Sequence, residues 1–400
     1  MNITILTNVR LWFAEPSPAF VAGELAIEGD RIVAIGRPDE LDRRQADVID
    51  GNGALVCPGL IELHSHGRAG GDFGLADREQ MARTMRSYLH AGVTSLMPTL
   101  ASEPFDSYGE AAALIAQTAK LAGTPRCLGI HMEGRYLNPD KRGAHAEDLL
   151  AATDADELER LHAQLSAPFD RDAIFRLTYA PELDQDGSFT QAALRLGFIP
   201  SIGHTTADFA TASAAVDRGA RSFTHLFNAM PSLHHRDGGA VAACFDAAAD
   251  GKNVYGELIC DGHHISPEMI RLAYRLLGPD HTLLVSDSMA GTGCPDGQYE
   301  LAGESVTLKD GIARTATGAL AGSTISLWNG VCNLARMCRI PLAEALLCAT
   351  RNPARLCGME DVIGTLRVGA YADLLLLGGT EDAPTIERIL LGGRLIGEDA

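Results

Sequence analysis

FIPSIGHTTADFATASAAVDRGARSFTHLFNAM, residues 198–230, decides the fold. One apolar run stops at His204, a helical pattern follows in ATASAAVDRGA (210–220), and a second apolar run stops at His225. Strand, helix and strand in so short a span make a parallel unit, because the helix carries the chain back to the start of the next strand. Both histidines then stand at the same end of the sheet.

The same rhythm extends outward in both directions. Apolar runs stop at ionisable residues in LIELHSHG (60–67, with His64 and His66), LGIHMEGR (128–135, with Glu133) and TLLVSDSM (282–289, with Asp287). Strand candidates fall at about 61–66, 94–99, 127–133, 174–180, 198–204, 222–226, 254–260 and 282–287. Helical patterns such as DREQMARTMRSYLHAG (77–92) and SPEMIRLAYRLLG (266–278) lie between most of them. Eight strands alternating with helices predict an α/β fold of the (β/α)8 TIM barrel type over residues 56–357, with packed side chains filling its interior. Residues 291–323, rich in Gly and Thr, read as a long β-like excursion after the eighth strand with a hairpin in DGQYELAGESVTLKDG (296–311), and Asn352-Pro353 as the end of the last helix, PLAEALLCAT.

The two ends of the chain differ from the middle. ITILTNVRLW and ELAIEGDRIVAIG, broken at Gly29-Asp30, read as strands and a turn, and GTLRVGAYADLLLL and TIERILLGGRLIG have the same character. Residues 1–55 and 358–400 are expected to build one small β-sandwich domain from both termini.

Bulk composition narrows the class. Of 400 residues, 46% are hydrophobic, enough for a large core. A formal charge of −19 argues against duplex nucleic acid, whose phosphates need a basic surface, but permits a small anionic substrate at a local positive site. Nine cysteines show no CxxC pair, and Cys57, Cys127 and Cys260 lie in or beside apolar runs, so free buried thiols and a reduced, cytoplasmic protein are expected. No window approaches the ~20 apolar residues of a membrane span, so no membrane partner is expected.

In a barrel of this kind the strand ends converge on one mouth. His64 and His66 end the first strand, two residues apart and on the same face; Glu133 ends the third, His204 the fifth, His225 the sixth and Asp287 the eighth. Such crowding of ionisable groups is costly unless a cation neutralises it. Imidazole and carboxylate donors suit Zn²⁺, with Fe²⁺, Mn²⁺ or Co²⁺ as substitutes. An ion with an open position lowers the pKa of water to roughly 7, and Asp287 can then take the water proton and pass it to a leaving group.

These residues resemble the amidohydrolase superfamily. More narrowly, HMEGRYLNPDKRGAH (131–145), SIGHTTA (201–207), THLFNAM (224–230), ICDGHH (259–264), VSDSMAGTGCPDG (285–297) and LAGST (320–324) resemble the N-acetylglucosamine-6-phosphate deacetylase family, over nearly the whole chain. The resemblance implies a main metal site of Glu133, His204 and His225, with Asp287 as acid and base. It implies that His145 stabilises the oxyanion, that Asn228 and Ala229 grip the sugar phosphate, and that His264 contacts the sugar. Arg236 would reach the phosphate of the neighbouring subunit in a homodimer. Because His64 and His66 are retained, one or two ions are chemically possible, and a second ion shared through Glu133 is the favoured expectation.

Two positions depart from the family pattern. Arg135 replaces a proline, and is expected either to shape the pocket, to contact an anionic substrate or to pair with Asp140. Trp328-Asn329 replaces smaller residues and could select a different sugar or acyl group. Competing readings are the galacto isomer, an N-acyl amino acid or dipeptide hydrolase using Arg236 or Arg135 for a carboxylate, and a catalytically inactive scaffold.

Overall fold

The computed structural model describes residues 3–397. Eight barrel strands run in order: Leu60–Glu62, Val93–Leu96, Gly129–Glu133, Ile174–Tyr179, Phe198–Ile202, Ser222–Phe223, Tyr255–Leu258 and Thr282–Leu284. The second is extended by Thr99–Leu100 and the third is preceded by Arg126–Cys127. Consecutive strands pair in parallel. The ring closes between the eighth and the first, where Asp287 N–H donates to His64 O at 3.0 Å and His66 N–H to Ser288 O at 2.8 Å.

A helix follows each strand, from Arg78–His90 after the first to Leu327–Cys338 after the eighth. The local chemistry of each is direct. Asp77 and Gln80 form a capping box that starts the first helix, whose inner face buries Met81, Met85, Tyr88 and Leu89. Asp208 caps Phe209–Arg218 by accepting from Thr211 N–H, and Gly219, at φ 119°, ends it in a left-handed turn.

Side chains fill the barrel interior as expected, but several of them are polar or charged. Arg176, Glu257, Glu62, His131 and Ser201 are fully buried within it. Polar groups occupy the volume beneath the strand ends and brace the groups above them.

The termini build one eight-stranded sheet. Ile3–Phe13, Ala19–Glu28, Arg31–Gly36, Ala46–Asp50 and Leu55–Pro58 join Leu374–Thr380, Ala383–Leu391 and Arg394–Leu395. It curls until Ile32 N–H meets Ala370 O at 2.9 Å and Ala372 N–H meets Asp30 O at 2.8 Å. The curl encloses a second core around Leu11, Leu25, Ile27, Val56 and Leu376. Strand Leu55–Pro58 pairs with Leu374–Leu377 in this sheet, and the barrel begins only two residues later, so we propose the domain junction at Gly59 rather than at 55. The outermost positions of the expected terminal domain, 1–2 and 398–400, lie outside the described residues.

One local reading is extended and one corrected. The hairpin after the eighth strand is present (Gly297–Leu301 with Glu304–Lys309), and Ile312–Thr315 adds a third strand to it. Asn352-Pro353 does not end the last helix; both lie in the first turn of a new one, Arg351–Leu356, where a proline loses no helical hydrogen bond.

Candidate metal centre and active site

Three of the strand-end residues share a backbone feature. His204, His225 and Asp287 have φ values of 47°, 32° and 49°, a left-handed conformation that costs energy for residues with a Cβ. Each strand stops in a sharp left-handed step. Gly203 makes the step before His204 possible, since a Cβ there would lie 2.7 Å from Thr178 Cγ2 and 2.8 Å from Thr224 Cβ.

Glu133 is the centre of the site. Its Oε1 lies 3.0 Å from His225 Nε2, 3.2 Å from His204 Nε2 and 3.3 Å from His64 Nε2, while Oε2 lies 2.9 Å from His66 Nε2. Two triads therefore share one carboxylate: His64, His66 and Glu133, and Glu133, His204 and His225. Asp287 Oδ1 stands 3.5 Å from both His64 and His66 Nε2. All of these side chains are buried.

The donor set fits cations on its own chemistry. His204 Nδ1 donates to Lys141 O at 2.8 Å and His64 Nδ1 to Glu257 Oε2 at 3.1 Å, so in the neutral rings a cation would meet the Nε2 lone pairs. His225 Nε2 faces His204 Nε2 at 2.9 Å, and His64 Nε2 makes no hydrogen bond. Burial lowers the pKa of His64, but the charges of Glu133 and Asp287 outweigh it and raise the pKa well above the usual value. The site calls for positive charge, which a divalent ion in either triad supplies.

Below it, Glu257 accepts from His225 N–H at 3.1 Å as well as from His64, and pairs with Arg176. Burial would raise its pKa, yet Arg176 and His64 hold it at about 2, so it stays ionised. Arg176 in turn donates to Leu63 O at 3.1 Å and Ser222 Oγ at 3.0 Å. Neither residue stood out at the sequence level, although a charged residue inside the apolar runs IFRLTY and YGELIC was the available signal.

His145 reaches the other side of Glu133, its Nε2 3.6 Å from Oε2. Ser102 N–H lies 3.2 Å and Ser102 Oγ 3.0 Å from its Nδ1. A backbone N–H can only donate, so Nδ1 accepts and the ring proton sits on Nε2, facing the pocket. Burial pushes the imidazole down to about 4, so it is neutral at pH 7. Gly134 leaves room for this contact, because a Cβ there would lie 2.3 Å from Ser102 Oγ. Ser102 has no sequence signal; a serine in the turn ASEP is unremarkable in composition.

A cavity of about 320 Å³ opens over the triads, at the small end of the ~300–1,000 Å³ typical of small-molecule sites. His66, Glu133, His145, His204, His225, Asn228, Ala229, His264 and Asp287 all line it, together with Leu301, Ala302 and residues 319–322 from the segment beyond the eighth strand. His264 is oriented by Asp261, whose Oδ2 accepts from Nδ1 at 2.6 Å. Asn228 donates to His225 O at 3.1 Å. Arg236 is exposed on the loop beyond Met230 and does not line this cavity.

Neither departure from the family pattern faces the cavity. Arg135 bonds Glu157 Oε1 at 3.1 Å and Glu103 O at 3.2 Å, so its partner is Glu157 rather than Asp140. Trp328 packs partly buried against the main core. A larger recess of about 660 Å³ beside Arg10 and Arg388 contains neither of the two triads that could hold a metal among the described residues.

Comparison with known proteins agrees with this architecture. Residues 55–396 match the Amidohydrolase family. The chain is 32% identical over 356 residues to N-acetylglucosamine-6-phosphate deacetylase of Vibrio furnissii, covering 88% of this chain and 86% of that one. It is 31% identical over 349 residues to N-acetylgalactosamine-6-phosphate deacetylase of Escherichia coli O157:H7, covering 87% and 89%. The crystal structure of N-acetylglucosamine-6-phosphate deacetylase from Pasteurella multocida superposes with a TM-score of 0.88 at 26% identity, covering 99% and 100%. With its barrel, its strand-end histidines and carboxylates and this match over most of its length, the chain belongs to the amidohydrolase family.

Proposed function

We propose that this chain hydrolyses the acetamide of N-acetylglucosamine 6-phosphate, releasing acetate and glucosamine 6-phosphate. The observation that carries the reading is the carboxylate of Glu133 shared between two histidine pairs, with Asp287 and His145 on the same cavity wall. The names of similar enzymes supply the substrate class.

When bound, divalent ions supply Lewis acidity toward the amide carbonyl and the attacking water; we propose zinc, two ions per subunit, held by His64, His66, Glu133, His204 and His225. Asp287 accepts the proton of that water as its oxygen attacks the carbonyl carbon. His145 donates its Nε2–H to the carbonyl oxygen as negative charge develops there. The C–N bond then breaks, and Asp287 returns the proton to the departing amine. His264, fixed by Asp261 through Nδ1, presents Nε2 to a sugar hydroxyl. Asn228 and Ala229 line the same cavity, and there we place the sugar phosphate. We propose a homodimer in which Arg236, exposed outside its own cavity, serves the neighbouring site.

The galacto isomer is the competing reading, supported by the Escherichia coli relative. The N-acyl amino acid reading loses one anchor, since the Arg135 guanidinium is committed to Glu157 and Glu103. Acetate release from zinc-loaded protein, offered both N-acetylhexosamine 6-phosphates, their unphosphorylated forms and N-acyl amino acids, tests all of these. The gluco 6-phosphate is expected to be the best substrate; equal rates with and without phosphate would exclude the sugar-phosphate reading.

A further inference from the structure

The cavity is lined by the carboxylates of Glu133, Asp140 and Asp287, yet an anionic substrate needs a cation at the end away from the metal triads. Among the described residues lining it, Lys141 alone is a lysine or arginine. The other nearby arginines are committed. Arg135 is held by Glu157, Arg142 donates to His145 O at 2.8 Å, and Arg176 is sealed beneath the site with Glu257.

Resting on the sugar-phosphate reading above, we infer that Lys141 is a specificity-determining residue that grips the substrate phosphate from within the same subunit. Its Nζ donates to Met230 O at 3.2 Å, directly after Asn228 and Ala229. The ammonium therefore bridges the loop of residues 139–145 and the loop after the sixth strand, on the side of the cavity that Asn228 and Ala229 line. One of its three protons is used by that carbonyl, leaving two for phosphate oxygens. No carboxylate among the described residues forms an ion pair with it, although Asp140 lines the same cavity. The backbone completes the link: Lys141 O holds His204 Nδ1 at 2.8 Å, so the residue that meets the anion also orients a metal ligand. Phosphate recognition then has a component that does not depend on a partner's Arg236.

The test compares zinc-loaded wild type with Lys141→Met and Lys141→Arg. Initial rates are measured on N-acetylglucosamine 6-phosphate and N-acetylglucosamine, and binding of inorganic phosphate is followed by calorimetry. Losing a charge-assisted contact should cut the preference for the phosphorylated sugar in Lys141→Met by about 10- to 100-fold, mainly through KM, and weaken phosphate binding similarly. Lys141→Arg keeps the charge and should restore most of the preference. An equal loss on both sugars would assign Lys141 a framework role through His204 and overturn the proposal, as would an unaltered preference. If wild type itself shows no preference for the phosphate, the sugar-phosphate reading fails instead. Lys141 is then judged by calorimetry alone, where equal phosphate binding by Lys141→Met and wild type overturns it.

Discussion

Ser102 determines which nitrogen of His145 faces the cavity, and it does so with a backbone donor and a hydroxyl at once. Its Oγ also accepts from Arg135 N–H at 3.0 Å, so removing the oxygen loosens His145 and orphans a buried amide. If His145 stabilises the oxyanion as proposed, Ser102→Ala is expected to lower kcat by about tenfold with a smaller change in KM. In a His145→Ala background the same substitution should add little further loss; additive effects in steady-state kinetics would show that Ser102 acts elsewhere. The residue scale is also where sequence reading divides most sharply. His204, His225 and Asp287 were visible because each interrupts an apolar run. Their left-handed backbone was not visible, since nothing in the residue type announces a positive φ. Ser102 was silent because its role arises from a contact 43 residues away.

The three-stranded sheet at Gly297–Thr315 is the element most specific to this site. It has a small core of its own, in which Leu301, Val306 and Ala313 pack on Met289 and Ala101, and it takes no part in closing the barrel. Through Leu301 and Ala302 it forms one wall of the cavity. Replacing residues 297–315 with a short Gly-containing turn should leave a folded, metal-binding barrel by circular dichroism and metal analysis, while raising KM by about tenfold through lost apolar contact. An unchanged KM would show that this wall does not meet substrate. The hairpin within this segment was legible from the alternation in QYELAGESVTL, but its third strand, Ile312–Thr315, was too short and mixed to register. The same limit applied at Asn352-Pro353, where a proline that commonly follows a helix instead occupies the first turn of the next.

At the scale of the whole molecule, the eight-strand rhythm was readable because strand and helix periods alternate along the chain, and the β character of both ends because they alternate apolar and polar residues; that those ends join in one curled sheet was not. The polar interior was harder to read: Arg176 and Glu257 point inward from strands whose other residues are apolar, and only their pairing makes that placement affordable. The metal triads sit on top of this network and draw donors from the ends of the first, third, fifth and sixth strands. Ions held there would tie together parts of the barrel far apart in sequence, which would couple binding to global stability by mass action. Restoring zinc to chelated protein at a thousandfold excess over Kd should add about 4 kcal/mol and raise Tm, and elemental analysis should find two ions per chain. A His64→Ala/His66→Ala double variant should retain one. Unchanged stoichiometry in that variant would leave the His64 and His66 triad without a metal role. Asp287→Asn separates binding from turnover: on the proposed mechanism, in which Asp287 moves the proton, it should keep both ions while kcat falls by about 10²- to 10⁴-fold. If Asp287→Asn instead loses an ion, Asp287 is chiefly a ligand, and the proton transfer belongs to another group on the cavity wall.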